Sequence, residues 1–260
     1  MKSRLAAIAL AGSALLGGVV VAQSVPGSYL SAATEPDTLA ILPSAPAAGS
    51  PADVADRAIF KATRKLEGSP RWTLARNDVD SSPGAMMRDF SCAAGVVLDP
   101  ASAPKLAAVL RRVGPDVVRA VNGPKDFYKR RRPYLVDSGD ICVPKSESLA
   151  RNYDYPSGHT TWGWTVGLIL AELAPERTGP ILARARAFGE SRVVCGAHNA
   201  SAVAAGRTTA SALNAALVGD AGFRADLDAA RVEMAALRSR PGPPPAACAA
   251  EASLIAKTPW

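Results

Sequence analysis

The chain has 260 residues, of which 48% are apolar and 20% are charged, and its formal net charge is +7. This length is sufficient for one domain with a sizeable core. The modest positive charge suits an anionic small-molecule substrate, but it is too small and too scattered to indicate a nucleic-acid-binding protein.

The first 22 residues have the layout of a secretory signal peptide. Lys2 and Arg4 precede an apolar run from Leu5 to Val21, and cleavage is predicted after Ala22. An uncleaved membrane anchor is the alternative. No later stretch of the sequence reaches the roughly 18 to 20 apolar residues of a spanning helix. We therefore expect the mature protein to be exported, without stable membrane association after cleavage.

The rest of the chain divides into three parts. Residues 23–50 are rich in Pro, Ser and Ala without periodicity, which predicts an extended arm. Residues 51–239 carry apolar residues at helical spacing, which predicts a single, mostly helical domain with long loops. Residues 240–260 include RPGPPPAAC and predict a Pro/Ala-rich tail that resembles the arm.

Two helices within the domain have clear predicted ends. The segment SAPKLAAVLRRVG is expected to stop at Gly114, and HTTWGWTVGLILAELAP is expected to stop before Pro175. The second helix carries one apolar face, formed by Trp162, Val166, Ile169, Leu170 and Leu173.

The four cysteines of an exported chain favour disulfides over free thiols. They are Cys92, Cys142, Cys195 and Cys248, and their spacing does not choose among the three possible pairings. Cys195 and His198 together resemble half of a zinc site. With two histidines in the chain and no CxxC pair, the sequence predicts no metal site.

A basic run, KDFYKRRRP, occupies Lys125 to Pro133. If it is helical, Lys125, Lys129 and Arg132 lie on one face. Stacked like charges are unfavourable unless an anion lies opposite them. A solvated basic surface and a nucleic-acid patch are the alternatives, although few aromatic residues are interleaved with the charges.

The motif PSGH, Pro156 to His159, stands at the start of a predicted helix. Free backbone N–H groups at a helix N-terminus favour a bound phosphate. Ser157 adds a hydroxyl donor, and Gly158 permits close approach of the backbone. The alternative is an ordinary serine cap beside an incidental histidine.

A third motif, SRVVCGAH, supplies Arg192 and, six residues later, His198. Arginine offers a rigid fork of donors that matches phosphate oxygens. The alternative is a surface arginine and a buried structural histidine. The three motifs contain both histidines of the chain, and together they suit phosphoryl transfer, with one imidazole as nucleophile, the other as acid and no cofactor.

These motifs resemble the signature K-x6-R-P, P-S-G-H, S-R-x5-H-x3-D of the type 2 phosphatidic acid phosphatase superfamily, which includes the vanadium haloperoxidases. The bacterial class A non-specific acid phosphatases are the most similar branch. The resemblance runs from about Arg57 to Ala235 and includes GSPRWTLARND and FSCAAG. It implies an all-α, single helical-bundle domain and hydrolysis of small-molecule phosphate monoesters through a phosphohistidine.

The resemblance also implies roles for single residues. His198 would be the nucleophile and His159 the general acid. It further implies a Cys142–Cys195 disulfide, which leaves Cys92 to pair with Cys248. Phosphate would be held by Lys125, Arg132, Ser157, Gly158 and Arg192.

One position departs from the signature. An acid is expected four residues after the nucleophile, where it would hold the imidazole tautomer, but the sequence has Ala202. A backbone carbonyl, Asn199, Ser201 or water could take over orientation. A phosphate-binding protein with weakened catalysis is therefore one alternative function.

Two further enzyme classes are compatible with the motifs. A lipid or polyprenyl phosphate phosphatase is disfavoured by the lack of spanning segments, and a vanadium haloperoxidase is usually longer. Phosphate and vanadate are expected inhibitors. Related soluble enzymes are often oligomeric, so a homo-oligomer is left open. Loops such as Val136–Tyr155 are expected to shape the leaving-group pocket.

Overall fold

The structure is a computed structural model that describes residues 27–240 and 242–260, so the predicted signal peptide lies outside the described residues. This described part is helical and contains no β-strand, which confirms the predicted all-α class. Its helices are α1 (Thr38–Ile41), α2 (Pro51–Arg64), α3 (Pro70–Asn77), α4 (Pro83–Ala94), α5 (Pro104–Tyr128), α6 (Glu147–Arg151), α7 (Gly158–Leu173), α8 (Thr178–Val194), α9 (Ala200–Gly219), α10 (Ala221–Leu237) and α11 (Pro245–Ile255). Short 3₁₀ turns cover Pro133–Leu135 and Pro175–Arg177.

Three of the first four helices begin with the same local signal, a serine followed by a proline. Ser50, Ser69 and Ser82 each accept a hydrogen bond from a backbone N–H of the first turn of α2, α3 and α4. The proline that follows has no N–H to leave unpaired, and its φ suits a helix. These starts are therefore encoded locally.

Helix α7 lies at the centre of the bundle and packs against α4, α5, α8, α9 and α10. Gly163 and Gly167 allow α8 to approach closely, because a methyl group at either position would collide with Phe188 or Ala185. The predicted apolar face of α7 is confirmed as part of the main core, with all of its members buried: Trp162, Val166, Ile169, Leu170 and Leu173.

The prediction that a helix stops at Gly114 is wrong. Helix α5 continues through Gly114 and Pro115 and ends at Tyr128. Proline inside a helix removes one backbone hydrogen bond. On both sides of the proline, α5 buries apolar side chains in the core, and this tertiary packing outweighs the local stop signal. The buried residues include Leu110, Val113, Val117 and Ala120.

The two ends of the described chain pack against the domain. In the arm, the backbone N–H groups of Tyr29 and Leu30 donate to Asp116 of α5 at 3.1 and 3.2 Å. The tail differs from the predicted extended segment, since its alanine-rich part forms α11. A disulfide joins Cys248 of α11 to Cys92 of α4. Among the residues that the structure describes, no helix is both long and apolar enough to span a membrane.

Candidate active site

Lys125 and Arg132 meet through a turn. The run from Lys125 to Pro133 is not one helix, so the condition for a shared face of Lys125, Lys129 and Arg132 is not met: α5 ends at Tyr128, and Lys129 has a left-handed backbone with φ of 48°. Arg132 follows this turn, and its side chain contacts the same residue as Lys125, namely Asn152. Both Lys125 and Arg132 are buried, at 7% and 3% exposure, so they are not part of a solvated basic surface.

The Lys125 ammonium is held by the segment before α7. It donates to Asn152 Oδ1 at 2.5 Å and to the backbone carbonyl of Tyr153. Burial, followed by the nearby positive charge of Arg132, lowers the pKa of Lys125 to about 7. An anion beside the ammonium would oppose both effects, so the position of Lys125 favours anion binding.

The contacts of His198 define its tautomer. Arg132 Nη1 lies 3.1 Å from His198 Nε2, and a guanidinium can only donate hydrogen bonds. Nε2 must therefore carry the lone pair, and the proton of the neutral ring is on Nδ1. The turn after α8, where Gly196 has φ of +75°, brings the backbone N–H of His198 to the carbonyl of Arg192 at 3.2 Å. A disulfide between Cys142 and Cys195 lies at the same turn.

The partner of His198 Nδ1 is Asp154, a residue that the sequence motifs did not single out. Nδ1 lies 2.8 Å from the Asp154 carbonyl oxygen and 3.0 Å from Asp154 Oδ1. Ala202, where the signature has an acid, is buried in an apolar cluster with Leu42, Tyr155 and Ala205. The one available signal was an acidic residue directly before YPSGH, 44 residues away from the histidine in sequence.

Ser157 caps α7 from a fully buried position. Its hydroxyl oxygen accepts from the Thr160 backbone N–H at 3.3 Å and from Thr160 Oγ1 at 2.9 Å. The wall of the cavity at this point is formed by Gly158 and His159. The cap fixes the first turn of α7, whose backbone N–H groups point out of the N-terminus. A direct contact of Ser157 with phosphate stays a prediction.

His159 is held by a main-chain group and a ring. Its Nε2 lies 2.6 Å from the backbone carbonyl of Asp78, which can only accept, so Nε2 carries a proton. The imidazole stacks on Phe188 with the ring centroids 4.8 Å apart. Burial, followed by the positive charge of Arg192, lowers the pKa of His159 well below its ordinary value. The remaining nitrogen, Nδ1, is free of this anchor and can exchange a proton.

Arg192 extends from α8 into the same cavity. Two of its buried nitrogens, Nε and Nη1, have no hydrogen-bond partner among the described residues. A buried guanidinium without acceptors is costly unless a ligand supplies them. Burial and the charge of Arg132 lower its pKa to about 10. This arrangement is typical of an anion site.

The cavity has a volume of about 600 Å³, and six of the seven predicted catalytic and phosphate-binding residues line it: Lys125, Arg132, Gly158, His159, Arg192 and His198. No Asp or Glu is among the described residues that line it. Helix α5 contributes Val117, Val118 and Val121 to the lining of the cavity, but also Arg111 and Asn122. The loop 136–155, predicted to shape the leaving-group pocket, contributes Leu149 and Asn152.

The described residues contain no group of three or more His, Cys, Asp or Glu side chains placed to hold a metal ion. The charged side chains that line the cavity are instead cations, which would repel a metal ion and attract an oxyanion.

Comparison with known proteins gives a consistent result. The PAP2 superfamily profile matches residues 110–220. The chain is 44% identical over 204 residues to an acid phosphatase of Zymomonas mobilis subsp. mobilis, covering 78% of this chain and 77% of that protein. It is 35% identical over 212 residues to a non-specific acid phosphatase of Providencia stuartii, covering 81% and 86%. It is 36% identical over 168 residues to one of Salmonella typhimurium, covering 64% and 67%. The chain therefore belongs to the PAP2 superfamily and, within it, to the class A non-specific acid phosphatases.

Proposed function

We propose that this acid phosphatase hydrolyses phosphate monoesters through a covalent phosphohistidine on His198, without a metal ion. The observation that carries the proposal is the orientation of His198. Its Nε2 bears the lone pair and lies beside Arg132, in a cavity that also holds Lys125 and Arg192. Cations placed around the transferred phosphoryl group stabilise charge on its equatorial oxygens.

The first chemical step forms the bond between His198 Nε2 and phosphorus and breaks the ester P–O bond. At acidic pH, where His159 carries a second proton on Nδ1 despite its lowered pKa, it gives that proton to the departing alcohol oxygen. Its other nitrogen stays bonded to the Asp78 carbonyl, so the ring does not have to rotate. The products of this step are the alcohol and the phosphorylated enzyme.

The second step hydrolyses the phosphohistidine. Neutral His159 takes a proton from water through Nδ1 while the water oxygen bonds to phosphorus and the P–N bond breaks. Inorganic phosphate leaves, and both imidazoles return to their starting state. Phosphate and vanadate would inhibit by occupying the same cluster of cations. The valines of α5 offer apolar contacts that do not depend on one particular leaving group, which supports a broad range of phosphomonoesters.

The test is hydrolysis of p-nitrophenyl phosphate by the mature protein between pH 4 and 8, with EDTA and no added metal. We expect turnover that vanadate inhibits and that His198→Ala abolishes. Rapid quenching with ³²P-labelled substrate should trap an acid-labile, alkali-stable phosphoenzyme in the wild type and none in His198→Ala. Loss of turnover on EDTA treatment, restored by a divalent metal, would contradict the metal-independent mechanism.

We also infer that the protein is exported, from the leader-like layout of residues 1–22 and the two cysteine pairs. Cell fractionation followed by N-terminal sequencing should find a periplasmic or secreted chain that begins at Gln23. An intact N-terminus in the membrane fraction would favour an uncleaved anchor.

The alternative of a phosphate-binding protein with weakened catalysis was motivated by Ala202, which stands where the signature has an acidic residue. Asp154 places a carboxylate at His198 from another part of the chain, so this possibility loses the observation that motivated it. A protein that binds phosphate tightly and shows no turnover at any pH would restore it.

A further inference from the structure

The carboxylate that the family signature expects beside the nucleophile is missing from its usual place in this chain. Ala202 occupies the position, and its side chain packs with apolar neighbours. A histidine that becomes positively charged when it is phosphorylated gains from a negative partner at its other nitrogen. The question is therefore which group, if any, provides that charge.

The side chain of Asp154, which precedes His198 by 44 residues in the sequence, contacts the imidazole ring. Its Oδ1 lies 3.0 Å from His198 Nδ1 and accepts the backbone N–H of Asn199 at 3.1 Å. Its Oδ2 accepts from Asn199 Nδ2 at 2.9 Å and lies 3.4 Å from Arg130 Nη1. The side chain is fully buried, and both of its oxygens have partners. The carboxylate is thus fixed in place before any substrate binds.

Arg130 and the hydrogen bonds from Asn199 partly offset the burial of this carboxylate, which raises the pKa of Asp154. Arg130 is itself anchored by Asp53 at 3.1 Å and by Asp56 at 2.9 Å. An isolated buried carboxylate would be strongly disfavoured, whereas one with an arginine and three hydrogen-bond donors is much less so. The backbone also supports the position, since the Asp154 N–H donates to the Arg130 carbonyl at 2.9 Å.

We propose that the Asp154 carboxylate is the positioning residue for the nucleophile His198, in place of the acid that Ala202 has replaced. It accepts the Nδ1 proton, keeps Nε2 free for phosphorus, and offsets the positive charge that develops on the ring. The effect of Asp154 on catalysis rests on the proposed function. The hydrogen bond between Asp154 and His198 rests on the geometry alone.

The backbone carbonyl of Asp154 is a competing acceptor, at 2.8 Å from the same Nδ1. It persists whatever side chain stands at position 154, but it carries no full negative charge. A change confined to the side chain therefore separates the two acceptors.

The decisive variant is Asp154→Asn, which keeps the shape of the side chain and removes its charge. We expect kcat for p-nitrophenyl phosphate to fall on the order of 10²- to 10⁴-fold, as for an orienting aspartate elsewhere. The inhibition constant of phosphate should stay within about threefold, because charged side chains that line the cavity are unchanged. Unchanged kcat would mean that the backbone carbonyl suffices, and it would overturn the proposal.

Asp116→Asn is the matched control. Asp116 is also fully buried, accepts two backbone N–H groups and pairs with an arginine, Arg119, but it contacts the arm rather than a histidine. We expect its kcat to stay within about threefold of the wild type. An equal loss of kcat in the two variants would show that removal of any buried carboxylate has this effect, and would also overturn the proposal.

A spectroscopic measurement tests the contact without turnover. The chain contains two histidines, so ¹⁵N-imidazole NMR gives two ring systems, which His159→Gln assigns. In the wild type we expect His198 to be protonated on Nδ1 with a strongly deshielded proton, and in Asp154→Asn we expect that proton to move clearly upfield. Identical His198 signals in both proteins would refute the contact. If the wild type shows this signal but has no phosphatase activity, the proposed function fails while the hydrogen bond stands.

Discussion

The two histidines lie in one cavity, and each ring faces a backbone carbonyl, that of Asp154 for His198 and that of Asp78 for His159. His198 Nδ1 also faces the Asp154 carboxylate, whereas His159 has no carboxylate bonded to it among the described residues and stacks on Phe188. A nucleophile gains positive charge as it attacks, and a negative partner stabilises that charge. A general acid must give its proton away, and a negative partner would hold it back. The difference therefore fits the proposed roles of His198 as the nucleophile and His159 as the general acid.

The largest effect that sharpens this comparison is expected from His159→Ala. General acid catalysis contributes on the order of 10²- to 10⁴-fold, and its contribution grows as the leaving group becomes more basic. We expect kcat/KM to fall by that factor for glycerol phosphate. For p-nitrophenyl phosphate, whose leaving group needs little protonation, the factor should be smaller by about tenfold or more. His198→Ala serves as the comparison variant and should abolish turnover of both substrates alike. Equal losses in His159→Ala would contradict its role as the acid.

An intermediate effect is expected from pH, acting through Lys125. Its pKa is lowered to about 7, first by burial and then by the charge of Arg132, while the pKa values of both histidines lie well below their ordinary value. Both histidines are therefore already neutral at pH 6.5, and between pH 6.5 and 8.5 it is Lys125 that loses its charge as pH rises. The inhibition constant of sulfate, whose own charge is constant in this range, should rise above pH 7 by up to about tenfold per pH unit.

The control for this pH effect is Lys125→Met, which should bind sulfate weakly and with little pH dependence in the same range. If the inhibition constant of sulfate for the wild type stays constant up to pH 8.5, Lys125 keeps its proton over this range. Its pKa would then not be lowered as its burial indicates.

The smallest effect is expected from Gly163→Ala, which disturbs only the side of the cavity that holds His159. The added methyl group would meet the Phe188 ring, which stacks on His159. Such overpacking costs roughly 1 to 3 kcal/mol of unfolding free energy. We expect a few-fold loss of kcat that is larger for glycerol phosphate than for p-nitrophenyl phosphate. Gly179→Ala, at an open position of α8, is the control and should lower neither stability nor activity.

Much of the helical architecture was predictable because its signals are local. Serine caps, proline starts and the apolar face of α7 each depend on residues within a few positions of one another. The stop predicted at Gly114 failed for the opposite reason. The apolar face of α5 is buried by other helices, and no neighbouring residue in the sequence reveals how much that burial contributes.

The residue types of the site were determined by the sequence itself. Its three motifs contain both histidines as well as Lys125, Arg132 and Arg192, and the chemistry of these side chains suits an oxyanion. Only the tertiary structure decided how they meet. A left-handed residue, Lys129, turns Arg132 back toward Lys125, and Asp154 reaches His198 across 44 positions. Contacts of this kind depend on where distant helices end and how they pack. Local sequence patterns do not show which distant residues come into contact.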